Sequence, residues 1–359
     1  MTTQAAIGQA EAAPATRLVW LDLARGASMV LVVALHADYA LGRIHDNDAQ
    51  LHVVNLLLVA MRLPLFFFVS GLLGARLVAG PLAGLLRRRV LLYLWLLVLW
   101  WLLQRGFEAG PAAGLGPAGM VAFFSAPPRL AEVFLVGQDD RWFLYALTLF
   151  FGLAWLLRAL PVAMQAGLAL LLGAAGALLL GTRLGFPALD RLYYFPYFAL
   201  GVLGSARMRV VAPRLGQWQK VLPLGLGFVA ACWLALRLDP RLDDRTMAAL
   251  SLVALPFGVA VAVLLARHGG WAASVLRAIG RNTLVVYILH PFVLRLVFAA
   301  AERPAAFPRA GWVLLVAAVA LAASLYLGRL LARIPGVFSL PSLTALRPGA
   351  VRGAVAERG

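Results

Sequence analysis

Apolar residues run along this chain in blocks of about twenty, each closed by a short stretch of arginine, glycine, proline or aspartate. Runs long enough to cross a bilayer fall at about 18–37, 53–75, 87–104, 141–159, 162–181, 191–206, 218–236, 247–266, 282–300 and 311–331. The pattern predicts an all-α, polytopic transmembrane helix bundle of about ten spans. The connection over 105–140 is long and rich in glycine and proline, with Phe123-Phe124 and Pro127-Pro128, and reads as a re-entrant or interfacial piece. Residues 1–16 lack the charged start and apolar centre of a signal peptide and read as a disordered cytoplasmic tail. Residues 17–333 form one membrane domain and 334–359 a short basic cytoplasmic tail, with no internal repeat visible.

The charges that interrupt the runs orient the chain. With the N-terminus inside, Arg76, Arg87, Arg88, Arg89, Arg158, Arg207, Arg209, Arg214, Lys220, Arg267, Arg277, Arg329 and Arg333 all fall on the cytoplasmic side. Of the 15 acidic residues only Glu11, Asp22 and Glu357 do so. Both termini are therefore expected in the cytoplasm. A net charge of +17 by itself suggests nucleic acid, but 63% of the residues are hydrophobic and the basic ones punctuate apolar runs. Such a chain offers no solvated basic face, which excludes a nucleic-acid partner. The lone Cys232 excludes an internal disulfide and a paired redox motif. The five histidines show no metal-ligand spacing, and no glycine-rich phosphate loop is present.

Polar residues inside the apolar runs carry the candidate chemistry, because charge in hydrocarbon is costly and calls for a function or a partner. The first run holds Arg25 and His36. Eleven positions are close to three helical turns, which puts both side chains on one face about 16 Å apart. Asp22, three positions before Arg25, either pairs with it on that face or anchors the helix at the interface. The second run holds Arg62, with Pro64 two positions on, which bends the helix and frees a carbonyl. Ser70-Gly71 permits close helix contact. The ninth run carries Asn282, Tyr287 and His290, with Pro291 marking a second break. A second imidazole at depth suggests a polar cavity, though it serves equally to orient a substrate or satisfy broken backbone. Trp142 and Tyr145, at the start of the fourth run, fit an aromatic belt.

Taken in order, these segments resemble the acyltransferase-3 family of integral membrane acyltransferases. The resemblance rests on Leu21, Asp22, Arg25, Gly26 and His36 in the first run and Pro64-Leu-Phe-Phe-Phe-Val-Ser-Gly71 in the second. It continues through Trp142-Phe-Leu144, Gly201, Gly280-Arg-Asn-Thr and Tyr287-Ile-Leu-His290, covering about 17–333, and leans toward the glucan-modifying branch. One departure concerns the third span, where the family often carries Arg-x-x-Arg. Here Arg87, Arg88 and Arg89 are contiguous, which keeps the charge and leaves its register toward a donor open.

The resemblance implies an O-acyltransferase of the bacterial inner membrane. It would move acetyl or succinyl from acyl-CoA, a donor substrate rather than a bound cofactor, to a hydroxyl of a glycan or other cell-envelope carbohydrate. A hydroxyl needs a base, and His36 would take its proton or be transiently acylated. Arg25, Arg87, Arg88 and Arg89 would hold the donor, and Asp22 would orient Arg25. Tyr287 or Arg62 would meet the developing oxyanion, with His290 beside them. Ser70, Trp142 and Asn282 are further substrate-binding candidates. The competing reading is a transporter or flippase for a glycan or lipid-linked sugar, since broken helices and midplane charges also mark transporters.

Overall fold

The structure is a computed structural model and describes residues 19–42, 49–109, 142–179, 191–239, 242–300 and 308–341. The expected N-terminal tail, the connection over 110–140 and the last eighteen residues lie outside them. Helices α1 (Val19–Gly42), α2 (Ala49–Leu57), α3 (Val59–Ala79) and α4 (Leu82–Leu85) lead into a π-helical turn at Leu86–Val90 and then α5 (Leu91–Ala109). Next come α6 (Trp142–Leu157), α7 (Val162–Leu179), a 3₁₀ turn at Arg191–Tyr194, α8 (Phe195–Leu203) and α9 (Ser205–Leu215). The chain continues through α10 (Trp218–Leu238), α11 (Asp244–His268), α12 (Gly270–Arg281), α13 (Thr283–Ala300) and α14 (Arg309–Leu331).

The all-α bundle agrees with the sequence reading. Seven stretches among the described residues are long and apolar enough to span a membrane: α1, the α2–α3 unit, α7, α10, α11, α13 and α14. Helix α6 is strongly apolar but has 16 residues. The expected third span is divided by the π turn before α5, and the expected sixth is split near Gly204 between apolar α8 and polar α9. Helix α12 has no counterpart among the expected spans. Its twelve residues are amphipathic, with Ala273 and Ile279 buried and Trp271 81% exposed, so it fits an interfacial helix rather than a crossing one.

Lipid tails are as apolar as leucine, so close packing and polar contacts must hold the helices together. Gly26 of α1 and Gly280 of α12 let two backbones touch. A Cβ on Gly26 would fall on the Leu276 carbonyl, and one on Gly280 on the Asp22 carbonyl. Gly71 of α3 and Gly201 of α8 make the same reciprocal contact, each against a carbonyl of the other helix, Phe198 and Phe68. Beside that crossing lies the aromatic centre of the bundle. Phe67, Phe150, Phe195 and Phe198 are fully buried, with Phe67 and Phe150 rings 5.0 Å apart and Phe150 5.4 Å from Phe195.

Past α14 the chain turns back at Gly336, where φ is 89°, and packs on α5. Trp95 Nε1 donates to the Gly336 carbonyl at 2.7 Å and Trp100 Nε1 to the Val337 carbonyl at 3.0 Å. Phe338 stacks on Trp100 at 5.6 Å. Residues 334–341, the described start of the expected tail, are therefore folded against the bundle.

Gly280→Ala is expected to lower stability by about 1–3 kcal/mol, since its methyl group meets backbone that cannot step aside. Gly227→Ala on α10, where a Cβ meets nothing within 4 Å, should leave stability unchanged or slightly raised. Thermal unfolding of both variants in the same detergent checks the contrast, and equal melting temperatures would contradict it.

Candidate active site

Helices α1 and α13 lie side by side and run in the same direction. The pairing of Arg25 with Thr283 near their starts and of His36 with His290 further along establishes this. The Arg25 guanidinium donates to the Thr283 hydroxyl and stands 5.9 Å from the Phe66 ring centre. His36 Nδ1 lies 2.7 Å from His290 Nε2, and the two imidazoles stack with centroids 4.9 Å apart and planes 21° from parallel. His290 is fully buried and His36 half-buried.

The surrounding backbone sets the tautomers. His290 Nδ1 lies 2.9 Å from the Val286 carbonyl, and a carbonyl only accepts. His290 therefore carries its proton on Nδ1 and presents a lone pair at Nε2. That lone pair must receive a proton from His36 Nδ1, which leaves the lone pair of His36 on Nε2. Pro291 contributes to this arrangement: it has no N–H for the Tyr287 carbonyl, and that carbonyl also faces the His290 ring.

Toward the Arg25 end lies a cavity of about 210 Å³, with Arg25, Arg89, Ser70, Phe66, Phe143 and Tyr287 on its wall. Arg89, within the π turn, reaches this cavity and lies 5.9 Å from the Phe151 ring, since neighbouring positions on a helix point in different directions. Arg87 and Arg88 remain exposed and line a separate open hollow with Phe338 and Ser339. The register left open by the three contiguous arginines is thereby divided, one inward and two outward.

The family model described as an acyltransferase domain matches residues 18–329. The chain belongs to the acyltransferase-3 family. It is an enzyme that transfers acyl groups other than aminoacyl groups, and a multi-pass membrane protein. No curated protein and no solved structure matches it.

Of the other residues singled out from the sequence of this acyltransferase, Tyr287 shares the cavity and the rest fall elsewhere. Asp22, 2% exposed, pairs with Arg281 of α12 at 3.4 Å, directly where Gly280 meets the α1 backbone. Tyr287 both lines the cavity and accepts, through its hydroxyl, the Phe143 N–H at the start of α6 at 3.2 Å. Trp142 stacks on Tyr194 at 5.9 Å with Arg191 above its ring at 4.5 Å, and Asn282 donates to the Ala278 carbonyl at the end of α12. Neither lines the cavity.

Arg62 is 1% exposed and is likewise not part of the cavity wall. It donates to the Leu31 carbonyl of α1 at 2.5 Å and to the Asn55 carbonyl at the α2–α3 break. That break is at Leu58, six residues before Pro64, so Arg62 rather than the proline satisfies the interrupted backbone.

Next to it lies a cluster that the sequence reading did not identify. Asp38 receives Arg309 at 2.7 Å and Asn55 Nδ2 at 3.0 Å, with His52 Nδ1 3.7 Å away. Asp38, Asn55 and Arg309 are all buried. The sequence signal was an aspartate two residues past His36, on the same helix, and an arginine opening an apolar run.

Arg309→Met is expected to destabilise the acyltransferase by about 3–5 kcal/mol, because Asp38 then keeps a buried charge without its cation. Asp38→Asn combined with Arg309→Met should recover part of the loss. Melting temperatures of the single and double variants measure this, and a strictly additive double variant would argue against the pair.

Proposed function

We propose that this acyltransferase moves an acyl group, acetyl or succinyl, from acyl-CoA to a hydroxyl of a glycan or other cell-envelope carbohydrate in the bacterial inner membrane. The observation that carries the reading is the chain from the Val286 carbonyl through His290 to His36, set next to a cavity with two inward arginines. Arg25 and Arg89 are suited to the anionic and polar parts of the donor's arm, and Arg87 and Arg88 outside them to its nucleotide phosphates. The apolar wall between, with Leu144, Leu147 and Phe151, suits the uncharged stretch that ends in the thioester.

In this reading the acceptor hydroxyl gives its proton to His36 Nε2 as its oxygen attacks the thioester carbonyl. The C–S bond breaks as the tetrahedral intermediate collapses, and the CoA thiolate takes the proton back from His36. His290 receives a hydrogen bond from His36 Nδ1 throughout and steadies the imidazolium, the part an aspartate plays in a Ser-His-Asp triad. The alternative role of His36 uses the same lone pair. Nε2 attacks the thioester carbonyl, the C–S bond breaks and CoA leaves as the thiolate; the hydroxyl oxygen then takes the acyl group as the C–N bond breaks, and its proton passes to the thiolate. A phenol can donate while it accepts, so Tyr287, which accepts from Phe143, is the candidate donor to the oxyanion. A lean toward glucan acceptors comes from the second-span motif, Pro64 to Gly71.

The test is turnover of labelled acetyl-CoA by the protein in lipid with an envelope-glycan extract as acceptor. His36→Ala should lose about 10²–10⁴-fold in kcat, and Arg25→Ala should raise KM for the donor about ten-fold. His290→Ala should lower kcat, and the double variant His36→Ala/His290→Ala should be no worse than His36→Ala alone, because the rings act as a unit. Acid-quenched label on the protein with no acceptor present would select the acyl-histidine route. Full activity in both His36→Ala and Arg25→Ala would place the chemistry elsewhere.

A further inference from the structure

The cavity that holds Arg25 and Arg89 stops short of the histidines. Its inner end is formed by Phe66, Phe143 and Tyr287, and neither His36 nor His290 is on its wall. Phe66 meets Phe143 edge to face at 4.8 Å, Phe143 lies 5.5 Å from Tyr287, and Tyr287 lies 6.2 Å from His290. The three residues are 6%, 7% and 8% exposed, so they pack against one another where they close the cavity.

We infer that Phe66, Phe143 and Tyr287 form a gate between the donor cavity and the histidine pair, and that Phe66 is the movable leaf that sets the length of acyl chain transferred. This rests on the donor reading above. The three rings differ in how they are held. Tyr287 is tied through its hydroxyl to the backbone N–H of Phe143, and the Phe143 ring is held between Tyr287 at 5.5 Å and the buried Phe67 at 4.7 Å. Phe66 is a phenyl group that no hydrogen bond can fix, with the cavity on one side of it and the Arg25 guanidinium 5.9 Å from its centre. The cavity beside Phe66 is the space into which a rotamer change of this ring would carry it away from Phe143 and Tyr287.

The acyl carbon must reach His36 while the charged end of the donor stays with the arginines. A two-carbon group needs only a narrow opening beside Phe66. Each further methylene must be housed among Phe66, Phe143 and Phe67, which are already in contact, and a misfit methylene in an apolar pocket is worth about ten-fold or more in rate. The gate therefore favours short acyl groups.

The experiment measures kcat/KM for acetyl-, butyryl- and hexanoyl-CoA with the wild type and with Phe66→Ala, Phe66→Leu and Phe143→Leu, all in lipid. Phe66→Ala should raise the hexanoyl-to-acetyl ratio about ten-fold or more, with Phe66→Leu in between. Leu73→Ala, which widens the cavity wall away from the three rings, should change KM without changing the ratio. If Phe66→Ala does not fold, the Leu variant carries the same comparison. Unchanged ratios in active Phe66 variants, or an equal shift in Leu73→Ala, would overturn the gate and leave the donor reading intact. Absence of turnover with every acyl-CoA in the wild type would overturn the donor reading and the gate with it.

Discussion

Hydrocarbon supplies no water to a buried polar group, so each such group on a membrane helix must be met by another helix or by a lined cavity. Helix α1 concentrates that demand. It carries Asp22, Arg25, His36 and Asp38, and each is met by a different partner: Arg281 of α12, Thr283 and His290 of α13, and Arg309 of α14 with Asn55 of α2. Arg62 of α3 adds a further contact to the α1 backbone at Leu31. These bonds set the order of helices around α1. Apolar burial, which orders a soluble core, discriminates poorly between one apolar helix face and another in lipid.

Close approach is what lets those partners reach. The Gly26–Gly280 crossing brings α12 against α1, and it is this contact that delivers Arg281 to Asp22 and starts α13 beside Arg25. From there α13 follows α1 far enough for His290 to meet His36, where Pro291 leaves a carbonyl facing the buried ring. The Gly71–Gly201 crossing does comparable work on the other side, seating α3 so that Phe66 and Ser70 face the cavity while Phe67 enters the aromatic centre. Small residues and polar pairs thus act together, the first bringing backbones close and the second fixing their register.

In the proposed reaction the cavity and the histidine pair divide the labour that an acyl transfer requires. Arg25 and Arg89 share a wall of the cavity, and the histidine pair sits beyond three aromatic rings. His36 is half-buried while its partner is sealed, so the imidazole whose Nε2 holds the lone pair is also the one that remains accessible. Within the π turn at Leu86–Val90 the three consecutive arginines divide into one inward and two outward side chains.

Much of this was legible in the residues alone. Periodic apolar runs announce the bundle, and the cost of charge in lipid picks out Arg25, His36, Arg62 and His290 before any fold is known. The eleven-residue spacing places Arg25 and His36 on one face, since helical geometry is local. What each polar group meets is not local. That His36 and His290 share a proton, 254 positions apart, depends on where α13 lies, and so does the assignment of Arg62 to a helix break rather than to the cavity. Helix α12 escaped because a window of mean hydropathy averages away an amphipathic face, and Asp38 because its cation, Arg309, comes from the far end of the chain. The sequence by itself determined which groups lipid would not tolerate alone and the class of fold that holds them. Tertiary structure decided their partners, because a hydrogen bond is made at about 3 Å and only the packing of helices brings distant positions that close.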